Sequence, residues 1–257
     1  MRPLPLPHET HGPTPLIMLH GLFGSGTNFR SVAKRLATRR NVHCPDLRNH
    51  GNAPWDAEHT YPALAADVLA WMDRMGLKRA DLLGHSMGGK VAMALALEAP
   101  ARVRRLIVVD IAPVTYAHSL ADYARAMLAV DLGALQTRRD ADRILATTIP
   151  ESGIRSFLLQ NLKPTATGWA WRIHLRALLA HMRDIGAFPN FGDKSYSGDS
   201  LFLHGARSDY VRKEHEEAIF ARFPQARLQA VADSGHWVHA EQPEVFFRVV
   251  SGFFECA

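Results

Sequence analysis

Short apolar stretches alternate with amphipathic stretches in two separate parts of the chain. In the amphipathic stretches apolar residues recur at helical spacing, which predicts helices over 27–37, 61–74, 87–98, 212–222 and 241–254. Strands that alternate with helices are parallel and are joined by right-handed crossovers. The pattern therefore predicts an α/β sheet with helices on both faces. Its strands are expected at 16–20, 41–46, 80–85, 103–110, 200–205 and 226–231.

The interval 113–192 interrupts this alternation. It lacks the apolar runs typical of strands, and turns are expected at Pro150 and Pro164. We therefore predict one discontinuous α/β domain formed by 1–112 and 193–257, with 113–192 inserted into it as a helical cap. The short helices of the cap are expected at 118–130, 138–147, 151–160 and 169–183.

The composition is typical of a globular protein. Of the 257 residues, 47% are apolar and 21% are charged, which argues against a disordered chain. No apolar run approaches the ~18–20 residues of a membrane span, and the proline-interrupted N-terminal stretch predicts no signal peptide. Cys44 and Cys256 lie far apart and predict no disulfide framework. We therefore expect a cytoplasmic protein.

The chain carries a formal net charge of +5. Its basic residues are scattered rather than clustered, so we expect a solvated basic surface and no nucleic-acid partner. The sequence contains no phosphate-binding loop, no zinc-ligand spacing and no dinucleotide-binding fingerprint. We therefore expect neither a cofactor nor a metal ion, and we expect a small molecule as the substrate.

The pentapeptide GHSMG at 84–88 matches the G-x-S-x-G pattern of a nucleophile elbow. It follows the predicted strand 80–85 and opens the predicted helix 87–98, which is the strand–turn–helix setting that such an elbow requires. Glycines are needed because a tight turn brings neighbouring backbone so close that a Cβ would clash. The pattern predicts that Ser86 is a nucleophile beside a helix N-terminus that can stabilise an oxyanion.

Five sequence strings together resemble the α/β-hydrolase superfamily and, within it, the YbfF-type acyl esterases and thioesterases: HGLFGS, DLRNHG, GHSMGGK, VDIAPV and GHWVHAE. The resemblance covers nearly the whole chain. It implies the α/β-hydrolase fold, with a mostly parallel central sheet flanked by helices and a helical cap inserted after the family's sixth strand. The segment before residue 16 is short and leaves room for at most an abbreviated first hairpin.

The resemblance implies that His236 is the general base. In this family the order along the chain is nucleophile, acid and histidine, and the histidine follows the last strand. His236 occupies that position, and His239 is its nearest rival. His85 is adjacent to Ser86, but neighbouring side chains at such a position point apart. His20 resembles the family histidine that shapes the oxyanion loop.

Two aspartates at the ends of predicted strands compete for the role of the triad acid, which orients the imidazole by accepting its Nδ1–H. Asp209 follows the strand 200–205, the usual position of the acid in the family. Asp110 ends the strand 103–110, and members of the resembling subgroup can use this position instead. We favour Asp209 and keep Asp110 as the alternative. Asp233 is expected to be a turn residue.

The resemblance also implies the oxyanion hole and part of the pocket. The backbone N–H groups of Leu22 and Met87 are the expected donors, and removal of one such donor typically costs about 3–4 kcal/mol of transition-state stabilisation. The Phe23 and Met87 side chains are expected to line the acyl pocket. Aromatic side chains of the helical cap can instead pack into a core, and we keep core packing as the alternative for them. Further candidate pocket residues are Tyr116, Met127, Trp169, Trp171 and Trp237.

Together these features predict a serine hydrolase that cleaves carboxylic esters with short- to medium-chain acyl groups through an acyl-enzyme on Ser86. The predicted cap has nine basic and six acidic residues, a surplus that would attract the anionic leaving group of an acyl-CoA thioester. Alternatively, its arginines pair with acids such as Asp140 and Asp142. Carbon–carbon bond hydrolases and cofactor-free perhydrolases use the same triad, and a hydrolase-like receptor for a small ligand is an alternative of another class.

Overall fold

The computed structural model describes residues 14–255. The first thirteen residues, on which the signal-peptide and first-hairpin predictions depend, lie outside this range, and so does Cys256. Within residues 14–255, none of the helices combines the length and the apolar character that crossing a membrane requires.

Six parallel strands form one central sheet, and this confirms the predicted fold class. The strands in the described part of the chain are β1 (Leu16–Leu19), β2 (Val42–His43), β3 (Ala80–His85), β4 (Val103–Val109), β5 (Leu162–Thr165), β6 (Gly168–Trp171), β7 (Ser200–Gly205) and β8 (Ala226–Val231). The order across the sheet is β2-β1-β3-β4-β7-β8. The edge strand β2 is shorter than the predicted strand 41–46.

Helices follow most of these strands along the chain. The α-helices of the described residues are α1 (Arg30–Leu36), α2 (Tyr61–Arg74), α3 (Met87–Glu98), α4 (Ala121–Leu128), α5 (Arg138–Leu145), α6 (Ser152–Leu158), α7 (Leu175–Ala180), α8 (Met182–Gly186), α9 (Glu216–Arg222), α10 (Val238–Glu241) and α11 (Pro243–Glu255). Short 3-10 helices lie at 26–29, 100–102, 132–134, 159–161 and 213–215. The bounds of α2 and α3 agree with the sequence prediction.

Both faces of the sheet are buried. Alternate residues of β1 point to opposite sides: Ile17 and Leu19 join the core formed with α2 and α3, whereas Leu16 and Met18 join the core formed with α1 and α11. A strand buried on both faces reads as a continuous apolar run rather than an alternating one. This explains why these strands were recognisable in the sequence.

The segment 113–192, called the cap segment below, is not purely helical. It follows β4 and contains α4 to α8, but β5 and β6 form an antiparallel hairpin within it. The prediction that this interval lacks strands was therefore wrong, and so was the start of the helix predicted at 169–183. Trp169 and Trp171 alternate with small residues, a spacing that suits a strand. Gly168, the first residue of β6 after the two-residue turn, has a φ of +135°, a backbone conformation that favours glycine.

Candidate active site

The candidate nucleophile lies at the turn between β3 and α3. Ser86 has a φ of 52° and a ψ of −122°, a strained conformation for a residue with a side chain. A Cβ on Gly84 would lie 2.1 Å from the carbonyl oxygen of Gly88, and one on Gly88 would lie 2.2 Å from that of Leu19. The Ser86 N–H donates to the Val109 carbonyl at 2.9 Å. The predicted elbow is therefore present, and its glycines are sterically required.

His236 connects the candidate nucleophile to a buried carboxylate. Its Nε2 lies 3.0 Å from Ser86 Oγ, and its Nδ1 lies 2.7 Å from Asp110 Oδ2. Because an ionised carboxylate only accepts hydrogen bonds, the proton of the neutral imidazole lies on Nδ1. The lone pair of Nε2 then faces the serine hydroxyl, which is the arrangement that a general base requires.

The carboxylate of Glu241 helps to hold the loop that carries His236. Glu241 accepts the N–H of Gly235 at 2.9 Å and the N–H of Trp237 at 3.2 Å, so it clamps the peptide groups on both sides of the histidine. Asp233 lies in the turn just after β8 with a φ of 55°, as expected for a turn residue. These contacts restrict the position of the imidazole.

Asp110 is the acid beside His236. It lies at the end of β4 with a φ of 53°, and its side chain is completely buried. Besides the imidazole, the carboxylate accepts the Gly205 N–H at 3.0 Å and the Ser208 hydroxyl at 2.5 Å. Three donors therefore stabilise the negative charge that burial would otherwise penalise.

The preference for Asp209 was wrong. Its side chain is 85% exposed and pairs with Arg212 at 3.0 Å on the surface. The turn after β7 directs the hydroxyl of Ser208 inward to Asp110, and the next side chain consequently points to solvent. The acid position that is usual in the family is filled here by a residue that does not contact His236.

The sequence alone did not point to two residues that contact Asp110 and His236, namely Ser208 and Tyr210. Ser208 donates to the carboxylate of Asp110, as described above. The ring of Tyr210 stacks on that of His236, with centroids 4.2 Å apart and an angle of 27°. Burial raises the pKa of Tyr210 to about 12. Both residues flank Asp209, so the signal was their position in the segment after β7, which lies at the carboxyl edge of the sheet.

The remaining histidine candidates are neutral. His85 Nε2 donates to the His236 carbonyl at 2.9 Å, and burial holds the pKa of His85 well below its usual range. Burial also lowers the pKa of His239 and of His20 to about 4 each. These side chains are uncharged near neutral pH. The His85 ring packs against the rings of His236 and His239, whereas His20 accepts the Leu47 N–H at 3.0 Å in the loop after β1.

The two predicted oxyanion donors lie beside Ser86. Leu22, Met87 and Ser86 line the same small cavity. Within residues 14–255, neither the N–H of Leu22 nor that of Met87 donates to a protein acceptor. Met87 is the first residue of α3, so its N–H is one of the free donors at a helix N-terminus. Both groups are available to a bound substrate.

The larger of two cavities that meet at Ser86 has a volume of about 180 Å³ and is mostly apolar. It contains two of the predicted pocket residues, Phe23 and Trp237, and the cap segment contributes the side chain of Phe157 opposite Trp237, with ring centroids 5.9 Å apart. The cavity therefore lies between the cap segment and the sheet. Its other apolar walls include Phe29, Ile154 and Leu158.

The smaller cavity extends from Ser86 in another direction and has a volume of about 40 Å³. Met87 and Tyr116, both predicted pocket residues, line it. So does Lys90, whose Nζ donates at 2.8 Å each to the carbonyls of Gly186, the last residue of α8, and of Ala187. Desolvation lowers the pKa of Lys90 to about 7.

Three predicted pocket residues line neither of these cavities. Met127 is completely buried inside the cap segment, where α4 packs against α7. Trp169 and Trp171 lie on β6, which contacts the 3-10 helix at 132–134. All three pack against the apolar core. These assignments were wrong, and core packing, the alternative kept open above, describes the three side chains.

A larger groove of about 520 Å³ lies elsewhere, around Trp55 and Trp71. Of these three cavities, only the two smaller ones are lined by Ser86. In the part of the chain that the structure describes, no group of three or more His, Cys, Asp or Glu side chains is arranged to hold a metal ion.

Known proteins resemble this chain over most of its length. The family model described as alpha/beta hydrolase fold matches residues 14–243. The sn-1-specific diacylglycerol lipase ABHD11 of Mus musculus is 42% identical over 98% of this chain and 86% of its own length. Esterase YbfF of Escherichia coli (strain K12) is 35% identical over 93% of this chain and 92% of its own. A solved marine microorganism esterase superposes with a TM-score of 0.91 at 32% identity, covering 95% of this chain and 96% of its own.

Proposed function

The chain belongs to the α/β-hydrolase family and is a carboxylic ester hydrolase of that class, and we propose that it acts through an acyl-enzyme on Ser86. The observation that carries the proposal is the continuous hydrogen-bonded series from Ser86 Oγ to His236 to Asp110, with distances of 3.0 and 2.7 Å. This series begins at the point where the two cavities meet.

The proposed reaction has two stages that share the same groups. In the first, Ser86 Oγ attacks the ester carbonyl carbon while His236 Nε2 takes the hydroxyl proton, and the imidazolium then gives that proton to the departing alcohol. In the second, His236 takes a proton from water, and the resulting hydroxide attacks the acyl-enzyme. The carboxylic acid product leaves, and the His236 imidazolium returns the proton to Ser86 Oγ. Asp110 stays ionised and stabilises the imidazolium.

The negative charge of the tetrahedral intermediates would lie on the former carbonyl oxygen. The N–H groups of Leu22 and Met87 are the donors that the geometry supports for it, because both line the small cavity beside Ser86. The N-terminus of α3 adds its dipole at the same point. Since these donors are already in place, little reorganisation is needed when the charge develops.

The pocket supports an ester of a short- to medium-chain acyl group. Its apolar walls can bury a chain of a few carbons, and each buried methylene contributes about 0.8 kcal/mol. Two relatives named above are called a diacylglycerol lipase and an esterase, and both names describe the cleavage of carboxylic esters. We propose the same bond for this chain.

An acyl-CoA thioester is a less suitable substrate. Arg125, Arg143 and Arg155 of the cap segment each pair with an aspartate. Two of those aspartates are Asp140 and Asp142, the residues that the sequence offers as partners for these arginines. These pairs leave the segment's surplus of positive charge unchanged, but they occupy three arginines that would otherwise be free to bind the anionic leaving group of an acyl-CoA.

The decisive test is the substitution Ser86→Ala. We expect it to lower kcat for p-nitrophenyl butyrate by about 10⁶-fold, because loss of the nucleophile in a comparable site has that effect. A fluorophosphonate probe should label the native protein at Ser86 and should not label the variant. Ser156→Ala, at an exposed serine of α6, is the matched control and should keep full activity and labelling. Labelling of another serine with activity retained would contradict the proposal.

The same assay separates the other candidate functions. Sustained turnover of simple esters would exclude a receptor that only binds a ligand. A kinetic comparison of p-nitrophenyl esters, a diacylglycerol, an acyl-CoA and a carbon–carbon bond substrate would rank the hydrolase alternatives. We expect the esters to have the highest kcat/KM.

A further inference from the structure

The loop after β1 carries the Leu22 N–H and contains a strained residue. Phe23 has a φ of 61°, which is unusual for a residue with a side chain. Such a conformation persists only where surrounding contacts hold it. Three successive peptide groups of this loop, from Gly21 to Gly24, are each held by a buried side chain, and the three side chains come from different parts of the chain.

The first peptide group joins Gly21 to Leu22 and is held through its carbonyl. The Gly21 carbonyl oxygen accepts from His20 Nδ1 at 2.9 Å and from the Gly24 N–H at 3.0 Å. In a trans peptide the C=O and N–H bonds point in opposite directions. Contacts that fix the Gly21 carbonyl therefore also aim the Leu22 N–H.

The second peptide group is held through its N–H. The N–H of Phe23 donates to His50 Nε2 at 3.2 Å. The other ring nitrogen of His50 lies 3.0 Å from the Arg48 carbonyl, and because a carbonyl only accepts, Nδ1 carries the proton and Nε2 is free to accept. His50 is completely buried, and burial holds its pKa well below the usual range, so it stays in this form.

The third peptide group is held from the cap segment. Asn161 Nδ2 donates to the Phe23 carbonyl at 2.7 Å and to the Leu158 carbonyl at 3.2 Å. Asn161 is only 1% exposed, and its main-chain carbonyl accepts the Arg172 N–H at 2.9 Å. The backbone of Asn161 is therefore fixed within the cap segment, while its side-chain amide nitrogen contacts the loop after β1.

We propose that Asn161 and His50 are positioning residues that hold Phe23 between them and thereby place the Leu22 N–H for the oxyanion. The inference rests on the proposed function and deepens it, because it makes the oxyanion hole dependent on a residue of the cap segment. The cap segment thus contributes to the chemical step as well as to the walls of the pocket. Neither residue is required to touch the substrate.

The test of Asn161 is the near-isosteric substitution Asn161→Asp, which places an acceptor against two carbonyl oxygens. We expect kcat for p-nitrophenyl butyrate to fall about 10- to 100-fold, because a misplaced donor loses part of the effect of a deleted one. KM should change by less than about twofold, since ground-state binding is retained. The affinity for an alkylboronic acid, which forms a tetrahedral adduct with the serine, should fall in parallel with kcat.

A matched control lies one residue away. Gln160 accepts from Asn28 Nδ2 at 3.3 Å across the same boundary, but it is exposed and does not contact the loop's peptide groups. Gln160→Ala should keep kcat and boronic acid affinity. If Asn161→Asp does not fold, as judged by its thermal melt, Asn161→Ser removes the same contact without a charge and takes its place. Unchanged kcat and boronic acid affinity in a folded Asn161 variant would overturn the inference.

The role of His50 as the acceptor of the Phe23 N–H is tested by a pair of variants. His50→Gln keeps an acceptor near the Nε2 position, and His50→Leu removes it. We expect the leucine variant to lose kcat and boronic acid affinity together and the glutamine variant to recover most of both. Equal activity in the two would overturn the role of His50. These outcomes are distinct from failure of the proposed function, in which the native protein itself would neither hydrolyse esters nor be labelled at Ser86.

Discussion

The carboxyl edge of the sheet and the cap segment are built in different ways. At the edge, Ser86, Asp110 and Phe23 all have positive φ, and each is fixed by hydrogen bonds to buried backbone or side chains. The cap segment consists of short helices and a hairpin, and ion pairs such as Arg125–Asp122 lie on its exposed surface. The edge is restrained where the chemistry takes place, whereas the cap segment mainly supplies apolar side chains.

This difference indicates where each region can affect the reaction. Strained backbone costs about 1–3 kcal/mol per residue and persists only where the surroundings over-determine it. Strained residues are found at the edge because the reacting groups there must be placed within a fraction of an ångström. A substitution at the edge should therefore change kcat, and a substitution in the cavity wall of the cap segment should change KM. Asn161 is the exception in the cap segment: we propose that its substitution changes kcat, because its side chain contacts the loop after β1 directly.

The largest expected effect separates two aspartates at neighbouring strand ends. Asp110→Asn should lower kcat by about 10³–10⁴-fold, because the amide holds the wrong tautomer of His236. Asp209→Asn should change kcat by less than about twofold, since an exposed surface pair contributes little. Steady-state kinetics with one p-nitrophenyl ester measures both. A ranking in the opposite order would return the acid role to Asp209 and contradict the comparison.

The second effect concerns the stability of the edge at acid pH. Burial lowers the pKa of His20 and His239 to about 4, so both are neutral in the folded state. Between pH 6.5 and 4 the unfolded chain binds protons that the folded chain does not, and stability therefore falls as the pH falls. For each of the two histidines, the free energy of unfolding should fall by about 2 kcal/mol between pH 7 and pH 5.

Urea unfolding at the two pH values measures this loss. His239→Gln replaces one of the two histidines by a residue that does not titrate. The variant should show a pH-dependent loss that is smaller by about 2 kcal/mol, whatever its stability at pH 7. An unchanged loss would mean that His239 is protonated in the folded state and would contradict the neutral histidine cluster at the edge.

A smaller effect is expected from the cap segment's wall of the main cavity. Phe157→Ala removes part of the apolar surface opposite Trp237, and we expect KM for a medium-chain ester to rise about five- to tenfold with kcat nearly unchanged. Phe188→Ala removes an aromatic ring of the same segment that packs on Phe191, outside the two cavities. This control should leave KM unchanged. A loss of kcat in Phe157→Ala would show that the wall also positions the reacting groups.

The smallest effect is expected from salt. Because three arginines of the cap segment already pair with aspartates, screening should change kcat/KM by less than about twofold for both an acyl-CoA and a neutral ester. The measurement compares the two substrates with the same acyl chain over a range of salt concentrations. A steep fall for the acyl-CoA alone would show a functional positive rim and would favour a thioester substrate.

Much of the fold and part of the site followed from the sequence, because their geometry is determined over a few residues. Strands buried on both faces, such as β3 and β7, read as apolar runs, and their bounds were predicted correctly. The bounds of the partly exposed edge strand β8 were also predicted correctly. The elbow at Ser86 was recognisable because only glycines fit beside its tight turn. His236 was found from its place after the last strand. The positions of both residues depend mainly on local backbone and strand order.

The tertiary structure alone decided which distant side chains meet. Asp110 and Asp209 both end strands at the same edge, and the rotation of the turn after β7 determined that Ser208 points inward and Asp209 outward. The walls of the cavity depend on how the cap segment packs, which hydrophobic spacing does not encode. The contact of Asn161 with Phe23 spans 138 residues. Local sequence specifies the shape of each turn, but the partner that each turn faces is set only when the whole chain is packed.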